Sequence, residues 1–554
     1  MSTHRVGRSL IVVLAALGMV AGMTGATAAS EPDAAPAAKS GKKPNVVFIL
    51  TDDLDLTSYT DPSRFPKFNS LMTQQGTTFS NFFVTDSLCC PSRSSILRGQ
   101  YVHNHDVQGN KPPDGGFEKF HANGDEKSTM ATWMHDAGYR TGLLGKYLNG
   151  YPNTVDPSFV PPGWDEWDSP NGGNPYAEFN YRMNENGKNV AYSANPQDYL
   201  VDVLSNKAGS FIEQQSNKPF FLYVAPFVPH QPATPAPRHA DAFPDVQAPR
   251  TASFNEAEMS AEPQWLRDRP LLGDRQIAAI DALYRKRLQS MLAVDDLVEH
   301  VVDTLQKSGQ LDNTYIVFTS DNGFHLGQHR LPPGKQTAFE EDIHVPLVVR
   351  GPGVPQGKTV DDLAMNIDFA PSFAELGGAK APSFVNGRSL VPALRGKSPG
   401  DNARKSVLVE HFTGGGGKRG RPGATTTTTT ATTTATTTTG SARAAARAQP
   451  TPDPDTDTSP PNAGTPKTGP RAPAVRKGQF PPVAIPEYAA LRTGQYTYVE
   501  YVTGERQLYD LRSDPDQLHN IAGTADPKLV ENLAKQLAAM RTCKAAGCRT
   551  ADRG

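Results

Sequence analysis

The chain has 554 residues, and its 55 Lys and Arg against 57 Asp and Glu give a formal net charge of −2 at pH 7. A chain of this length can form one large core and a smaller one. The near-neutral charge excludes global attraction to nucleic acid or to an anionic membrane, so a polyanionic ligand would need a local basic pocket. We therefore expect no nucleic-acid partner.

The N-terminus has the pattern of a secretory signal peptide. Basic residues between positions 4 and 8 precede an apolar run over 10–20, and Ala26-Thr27-Ala28 is a small-residue cleavage site. The apolar run is too short to span a membrane, and no later run is long and apolar enough to do so. We predict a signal peptide over 1–28, a linker over 29–42 and a secreted mature protein without a membrane span.

After the linker, a continuous apolar run over 45–50 predicts a buried parallel strand. It ends in Thr51-Asp52-Asp53. Two carboxylates at the carboxyl end of a central strand occupy the usual place of a functional site in an open α/β sheet. A strand-end turn, where aspartate is also favoured, is the alternative interpretation.

Residues 87–99 combine cysteine, proline, arginine and hydroxyl residues before a closing glycine. Pro91 suits the first turn of a helix, which places Cys89 just before the helix N-terminus. The N–H groups at that end favour an anion, and the planar fork of Arg93, one turn further on, can point at the same anion. The pattern predicts a cysteine at an anion site. Two buried cysteines that cap an ordinary helix are the alternative.

Further apolar runs alternate with helical patterns. Strands are predicted over 79–84, 139–148, 220–225, 315–320 and 345–353, and helices over 66–76, 129–137, 199–215, 275–307 and 366–376. This alternation indicates an α/β fold. Residues 150–196 and 233–272 have no clear period, and we interpret them as substrate-side loops and an irregular lid.

Several polar residues stand out beside these elements. His103 and His105 follow the helix predicted after Cys89 and are candidates for a pocket edge, with surface histidines as the alternative. His230 lies between prolines after the strand 220–225, which predicts a rigidly directed side chain. Asp295 and Asp296 lie within the long helix, where we expect them to be solvated or salt-bridged.

The C-terminal third changes character. Residues 414–477 consist largely of Gly, Arg, Thr, Ala and Pro, which predicts a disordered insert that serves as a spacer, with O-glycosylation or contact with a polyanion as alternatives. This insert separates a catalytic domain over 43–413 from a C-terminal subdomain over 478–554. Cys543 and Cys548 lie close in sequence and predict a small disulfide loop; free thiols or a metal pair are the alternatives.

The motifs together resemble those of the type I, formylglycine-dependent sulfatases of the alkaline-phosphatase superfamily. The resemblance lies in Cys89-x-Pro91-Ser92-Arg93 with Gly99, and in Asp52-Asp53, Gly145-Lys146, His230, Asp321-Asn322 and Gly334-Lys335. The forms Cys-Cys-Pro-Ser-Arg and Gly-Lys-Tyr-Leu-Asn look more like the N-acetylglucosamine-6-sulfatase branch. The resemblance implies a large mixed, mostly parallel sheet flanked by helices, plus a small C-terminal antiparallel sheet with a helix.

The resemblance also implies a role for each of these residues. A formylglycine-generating enzyme would convert Cys89 to Cα-formylglycine, whose hydrated aldehyde is the nucleophile in that family. Arg93, Lys146 and Lys335 would compensate charge on the sulfate, and His230 would bind sulfate or, like Lys335, protonate the leaving oxygen. The predicted metal ligands, which offer hard oxygen atoms suited to Ca²⁺ first and Mg²⁺ second, are Asp52, Asp53, Asp321, Asn322 and the group derived from Cys89.

The sequence departs from the family pattern at two positions. Arg98 stands where a threonine is common. Leu148 stands where many members have a histidine that acts as the base in the last step. We predict a secreted sulfatase for a sulfated sugar such as N-acetylglucosamine-6-sulfate in glycosaminoglycans. The alternatives are a broad-range arylsulfatase, a phosphonate or phosphodiester hydrolase of the same superfamily, and a non-catalytic polyanion-binding protein if Cys89 is not matured.

Overall fold

The structure, a computed structural model, describes residues 42–413 and 480–554 apart from positions 60, 399, 401 and 402. The predicted signal peptide over 1–28, nearly all of the linker and the insert over 414–477 lie outside the described residues. Within the described ranges, no helix is both long and apolar enough to cross a membrane.

Sixteen strands form the sheets of the described chain. They are β1 (Asn45–Thr51), β2 (Thr77–Phe79), β3 (Phe82–Phe83), β4 (Arg140–Gly145), β5 (Glu166–Gly173), β6 (Tyr181–Glu185), β7 (Lys188–Ala191), β8 (Phe220–Ala225), β9 (Thr314–Ser320), β10 (Leu347–Arg350), β11 (Lys358–Val360), β12 (Ala364–Met365), β13 (Ser406–His411), β14 (Tyr488–Thr493), β15 (Tyr496–Tyr501) and β16 (Arg506–Asp510).

The α-helices of the described residues range from single turns to one helix of 34 residues. They are α1 (Leu56–Tyr59), α2 (Pro66–Phe68), α3 (Cys89–Arg98), α4 (Val102–His105), α5 (Gly116–Asn123), α6 (Met130–Asp136), α7 (Leu200–Glu213), α8 (Gln264–Arg267), α9 (Asp274–Lys307), α10 (Glu340–Ile343), α11 (Phe369–Gly377), α12 (Val391–Leu394), α13 (Pro527–Thr542) and α14 (Cys548–Ala551).

The main sheet has ten strands in the order β11-β2-β10-β9-β1-β8-β4-β5-β6-β7, and its centre is parallel. Every residue of β1 is buried, because helices cover both faces. Val46 and Phe48 belong to the core on one face, whereas Val47 and Ile49 belong to the core on the other. This two-sided burial explains why the strand is a continuous apolar run, and it confirms the predicted buried parallel strand.

The prediction of loops over 150–196 was wrong for much of that segment. The strands β5, β6 and β7 lie there and extend the main sheet at one edge, with β5 parallel to β4 and the next two pairings antiparallel. Pro170 and the glycines at 172 and 173 interrupt the pattern of β5, and a register shift occurs between Pro170 and Gly172. A strand with proline and glycine is not recognised from its sequence, because both residue types are depleted from regular strands.

A second, antiparallel sheet has the order β13-β14-β15-β16, and the helix α13 packs against it. Its edge strand β13 precedes the predicted insert, whereas the other three strands follow it. The sheet thus joins segments on both sides of residues 414–479. Cys543 and Cys548 form a disulfide after α13, with their Cα atoms 4.9 Å apart.

Arg404 connects this sheet to the main core through a buried ion pair. Its Nη2 donates to Asp368 Oδ1 at 2.8 Å, and its Nε donates to Asp552 Oδ2 at 3.1 Å. Because Arg404→Ala removes the cation that both buried carboxylates share, we expect it to lower the free energy of unfolding by about 3–5 kcal/mol in urea denaturation. The exposed neighbour offers a control, since Lys405→Ala should change stability by no more than about 0.5 kcal/mol. Equal effects of the two variants would contradict this role of Arg404.

Candidate active site

The carboxyl ends of the central strands bring three carboxylates together. Asp52 and Asp53 follow β1, and Asp321 follows β9. They lie side by side because the preceding residues, Thr51 and Ser320, are direct partners in the sheet. All three aspartates are buried, and one oxygen of each lies within 4.8 Å of the others. Ionised carboxylates at this separation repel one another, so the cluster requires positive charge nearby.

Cys89 occupies the first position of α3, after the extended N-cap residue Leu88. The sequence predicted that Cys89 would lie just before this helix, and the structure places it one position later. Its Sγ lies 3.3 Å from Asp52 Oδ1 and 3.9 Å from Asp53 Oδ1. The helix ends at Gly99, whose φ of +66° permits the left-handed C-cap. The N-terminus of α3 therefore directs its partial positive charge toward the carboxylate cluster.

Two lysines lie among the carboxylates, and one of them also contacts the thiol. Lys146, directly after β4, places its Nζ 2.6 Å from Asp52 Oδ2. Lys335 Nζ lies 2.7 Å from Asp53 Oδ1 and 2.8 Å from Cys89 Sγ. Both lysines are buried, so bulk water and salt screen their charges little. The cluster thereby gains two positive charges from two separate loops.

Arg93 supplies a third positive charge and is completely buried. Its Nε donates to Asp321 Oδ2 at 2.7 Å, its Nη1 donates to the carbonyl oxygen of Lys146 at 3.1 Å, and its Nη2 lies 3.8 Å from Asp52 Oδ1. Burial alone would lower the pKa of Arg93, but the carboxylates of Asp321 and Asp52 outweigh burial and raise its pKa above the usual range. The guanidinium is therefore always charged and ties α3 to the ends of three strands.

His230 reaches the same cluster from the loop after β8. Its Nδ1 lies 2.7 Å from the carbonyl oxygen of Gln231, which can only accept, so Nδ1 is the donor. This leaves Nε2 on the side of Asp53, whose Oδ2 is 3.6 Å away. A nitrogen of His230, a carboxylate oxygen of Asp52 and the sulfur of Cys89 lie within 4.8 Å of one another. The structure thus brings all nine predicted site residues into one buried cluster.

The donor chemistry of this cluster fits a divalent cation. Asn322 donates through Nδ2 to Asp53 Oδ1 at 2.7 Å, whereas its buried Oδ1 has no hydrogen-bond partner among the described residues. A buried amide oxygen that lacks a donor, beside three carboxylates, is a position that a cation would satisfy. Because every predicted protein ligand other than the Cys89 position offers oxygen, the set suits Ca²⁺ or Mg²⁺ better than Zn²⁺.

The two histidines predicted at the pocket edge contact other parts of the fold, and a role for them at the pocket edge stays a prediction. His105 Nε2 lies 2.9 Å from Ser95 Oγ of α3, and burial lowers the pKa of His105 to about 3, which keeps it neutral. His103 Nδ1 lies 2.7 Å from Glu410 Oε2, and its Nε2 lies 3.0 Å from the carbonyl oxygen of Cys543. Both histidines therefore hold α4 against its neighbours.

The two aspartates of the long helix also lie outside the cluster. Asp296 pairs with Lys67 at 2.7 Å and with Arg238 at 2.7 Å, which confirms the expected salt bridge. Asp295, however, is buried and has no ion-pair partner among the described residues, so the prediction was wrong for this residue. It accepts a hydrogen bond from the backbone N–H of Phe68 at 2.7 Å instead. Their role is to hold neighbouring segments against α9.

Tyr176 is a residue beside the site that the sequence analysis missed. It lies between β5 and β6, and its ring centroid is 5.0 Å from Lys146 Nζ and 4.5 Å from the ring of His230. Asn149 Nδ2 lies 3.3 Å from its hydroxyl oxygen. No sequence pattern indicated this contact, because it depends on the β5–β6 hairpin returning to the end of β4.

The fold and the cluster define a class of protein. Carboxylates at the carboxyl edge of a parallel sheet offer a cation site, a helix N-terminus presents the cysteine, and three buried cations surround it. This arrangement is typical of a hydrolase that acts on a small anionic ester group.

Comparison with known proteins agrees with this class. The family model described as Sulfatase matches residues 44–379. Human N-acetylglucosamine-6-sulfatase is 34% identical over 532 residues, which cover 92% of this chain and 86% of the human protein. The extracellular sulfatase SULF-1 homolog of Drosophila melanogaster is 37% identical over 377 residues, which cover 67% of this chain and only 33% of that protein. A protein solved in complex with its substrate D-glucosamine-2-N,6-O-disulfate superposes with a TM-score of 0.66 at 22% identity, covering 90% of this chain and 97% of that chain.

The chain belongs to the sulfatase family. It is therefore a sulfuric ester hydrolase, and its large mixed sheet with a separate small antiparallel sheet matches the sulfatase fold.

The contacts of Tyr176 predict an effect on turnover. Tyr176→Leu removes the aromatic face beside Lys146, so we expect kcat for sulfate release to fall about tenfold. Tyr176→Phe keeps the ring and should stay within about threefold of the wild type, since a cation–π contact does not need the hydroxyl. Tyr192→Leu removes a tyrosine that stacks on Tyr181 in the same hairpin region and should leave kcat unchanged. Equal losses for the Phe and Leu variants would show that the ring does not act on Lys146.

Proposed function

We propose that this protein is an exported sulfatase that releases sulfate from 6-O-sulfated N-acetylglucosamine, as found in glycosaminoglycans. The observation that carries the proposal is the convergence of Arg93, Lys146 and Lys335 with three carboxylates around Cys89. The human relative that shares 34% identity over most of this chain is named for that substrate. Export is supported by the signal-peptide pattern over residues 1–28 and by the extracellular relatives.

Two groups complete the proposed site. Cys89 is converted to Cα-formylglycine by a formylglycine-generating enzyme, and a divalent cation, Ca²⁺ first and Mg²⁺ second, is held by Asp52, Asp53, Asp321, Asn322 and the modified residue. The formylglycine supplies a hydrated aldehyde as nucleophile, and the cation supplies Lewis-acid charge. The remaining chemistry belongs to the side chains of the chain itself.

The charge balance of the cluster suits an anionic ester. Arg93, Lys146 and Lys335 offset the three aspartates, so a bound divalent cation gives the site a net charge of about +2. A sulfate ester brings one negative charge, and more negative charge develops on its oxygens in the transition state. Lys335 contacts Cys89 Sγ and Lys146 contacts Asp52, so both are close to the place where those oxygens would bind. Arg93 pairs with Asp321 and lies beside Asp52, so it holds these carboxylates in place.

His230 is the group placed to deliver a proton to the leaving oxygen. Its Nδ1 donates to the carbonyl oxygen of Gln231, which fixes the ring, and its Nε2 is the atom on the side of the cluster. A proton held at Nε2 can pass to the alcohol as the ester bond breaks. Lys335, whose Nζ is 2.8 Å from Cys89 Sγ, is the second candidate donor.

The experiment that tests this proposal measures inorganic sulfate released from N-acetylglucosamine-6-sulfate and from a chromogenic aryl sulfate, each with Ca²⁺ present. Release from the sugar alone supports the proposal. Release from the aryl ester alone indicates an arylsulfatase. Faster turnover of a phosphonate monoester or a phosphodiester than of either sulfate ester indicates a phosphorus-ester hydrolase. A thiol in the mass spectrum of the Cys89 peptide, with no turnover of any ester, indicates a polyanion-binding protein.

A further inference from the structure

Arg287 lies in the middle of α9, is completely buried and was not indicated by any sequence motif. Its Nη1 donates to the carbonyl oxygen of Pro229 at 3.1 Å. Its Nη2 donates to the carbonyl oxygen of Asp53 at 2.6 Å and to Asp55 Oδ2 at 2.9 Å. The guanidinium carbon also lies 4.4 Å from the ring centroid of Phe324. One side chain thus makes four separate contacts on the side of the site nearest α9.

Three of these contacts belong to loops that follow different central strands. Asp53 follows β1. Pro229 follows β8 and directly precedes His230. Phe324 follows β9 and comes two residues after Asn322. A single guanidinium therefore touches every loop that supplies the predicted cation ligands at strand ends and also the loop that supplies His230.

The chemistry of these contacts requires an arginine. Two main-chain carbonyls and one carboxylate accept from a single planar group, whose donors diverge in a fixed fork. A lysine carries one point charge and cannot reach both carbonyls with the same geometry. Asp55 is nearly buried and balances the charge of Arg287, which is the condition for a guanidinium to stay at 0% side-chain exposure.

The backbone conformation of Asp53 gives the hydrogen bonds of Arg287 a further purpose. Asp53 has a φ of +64°, in the left-handed region that non-glycine residues adopt at a cost. Asp52, its neighbour, forms an isolated parallel bridge with Pro229. The hydrogen bonds from Arg287 to the carbonyls of Asp53 and Pro229 hold both sides of this bridge in place.

We propose that Arg287 is a positioning residue that sets the spacing between the cation ligands and His230. This inference rests on the proposed function, since it assumes that a cation binds at Asp53. Loss of the hydrogen bonds from the guanidinium should let the loops of Asp53 and Pro229 separate. Both cation affinity and turnover should then fall, although Arg287 acts through the main chain of Asp53 and Pro229.

The test compares Arg287→Lys with the wild type by calorimetric titration of Ca²⁺ and by steady-state kinetics of sulfate release. We expect the Kd for Ca²⁺ to rise about tenfold and kcat to fall about 30-fold, with KM within about threefold, as is usual when the partners of metal ligands are altered. Arg285→Lys is the matched control, because Arg285 lies on the same helix and donates to the carbonyl of Val246 instead. This control should keep the wild-type affinity and rate.

If Arg287→Lys does not fold, the double variant Asp55→Asn/Arg287→Gln replaces it, because it removes both buried charges together. The same loss of Ca²⁺ affinity is expected from it. Wild-type affinity and kcat in a folded Arg287 variant, with only a lower melting temperature, would overturn the inference and leave the proposed function intact. A wild-type protein that binds no Ca²⁺ and releases no sulfate would overturn the proposed function itself.

Discussion

Replacing Cys89 with alanine is expected to abolish sulfate release, with a loss of at least about 10⁴-fold in kcat, because the variant has no atom that can become the nucleophile. The fold should persist, since the side chain loses only one buried sulfur. Sulfate release should be measured with the wild type and the variant at equal concentration. Circular dichroism and thermal unfolding should confirm that the variant is folded.

Cys90 provides the matched control for this prediction. It is the next residue of α3, and burial raises the pKa of its thiol to about 12, so it remains neutral and unreactive. Cys90→Ala should therefore retain turnover within about threefold and lose only stability. A Cys89→Ala protein with near wild-type rates would exclude the proposed nucleophile. Loss of turnover in both variants, with an unmodified thiol at position 89 of Cys90→Ala, would instead indicate failed maturation.

Removing divalent cations is expected to have the second largest effect. Treatment with a chelator, followed by its removal, should lower sulfate release at least about 100-fold, because the three carboxylates would then face the anionic ester without the divalent cation between them. Added Ca²⁺ should restore the rate, and Mg²⁺ should restore less of it. The measurement is the initial rate of sulfate release as a function of added cation.

Asp321→Asn tests the same site without a chelator. It keeps the shape of the side chain but removes one charge from the predicted ligand set, so it should weaken Ca²⁺ binding and lower kcat about 100-fold. Asp281→Asn is the control, since this buried carboxylate pairs with Arg250 outside the cluster. It should lower stability and leave Ca²⁺ binding unchanged. Full activity of the chelated wild type would contradict a role for any cation.

Sequence analysis identified the central strands and the residues at their ends. Residues 45–50, 220–225 and 315–320 are continuous apolar runs because both faces of the sheet are covered, so their burial leaves a local signature. The site residues directly follow such runs or lie in motifs that resemble a known family. In the fold, the register of the parallel strands brings the residues after β1, β4 and β9, among them Asp52, Lys146 and Asp321, to the same edge of the sheet.

Other features left no local signature. The strands β5, β6 and β7 lie at an edge of the sheet and contain proline, glycine and charged residues, so their pattern resembles that of loops. The strand β13 depends on pairing with β14, from which it is separated by the whole insert. Strand pairing is a long-range property, and a local pattern does not show which distant segment completes a sheet.

The sequence by itself indicated the family, the central α/β elements and the nine residues that the structure gathers into one cluster, because each lies in a local pattern or in a short motif of the family it resembles. The tertiary structure alone decided that Tyr176 lies beside Lys146 and that Arg287 holds the loops of Asp53 and Pro229. The physical reason is that these contacts join segments far apart in the chain. An aromatic ring or a buried arginine has no distinctive neighbours in sequence, and its role arises only from what the fold places around it.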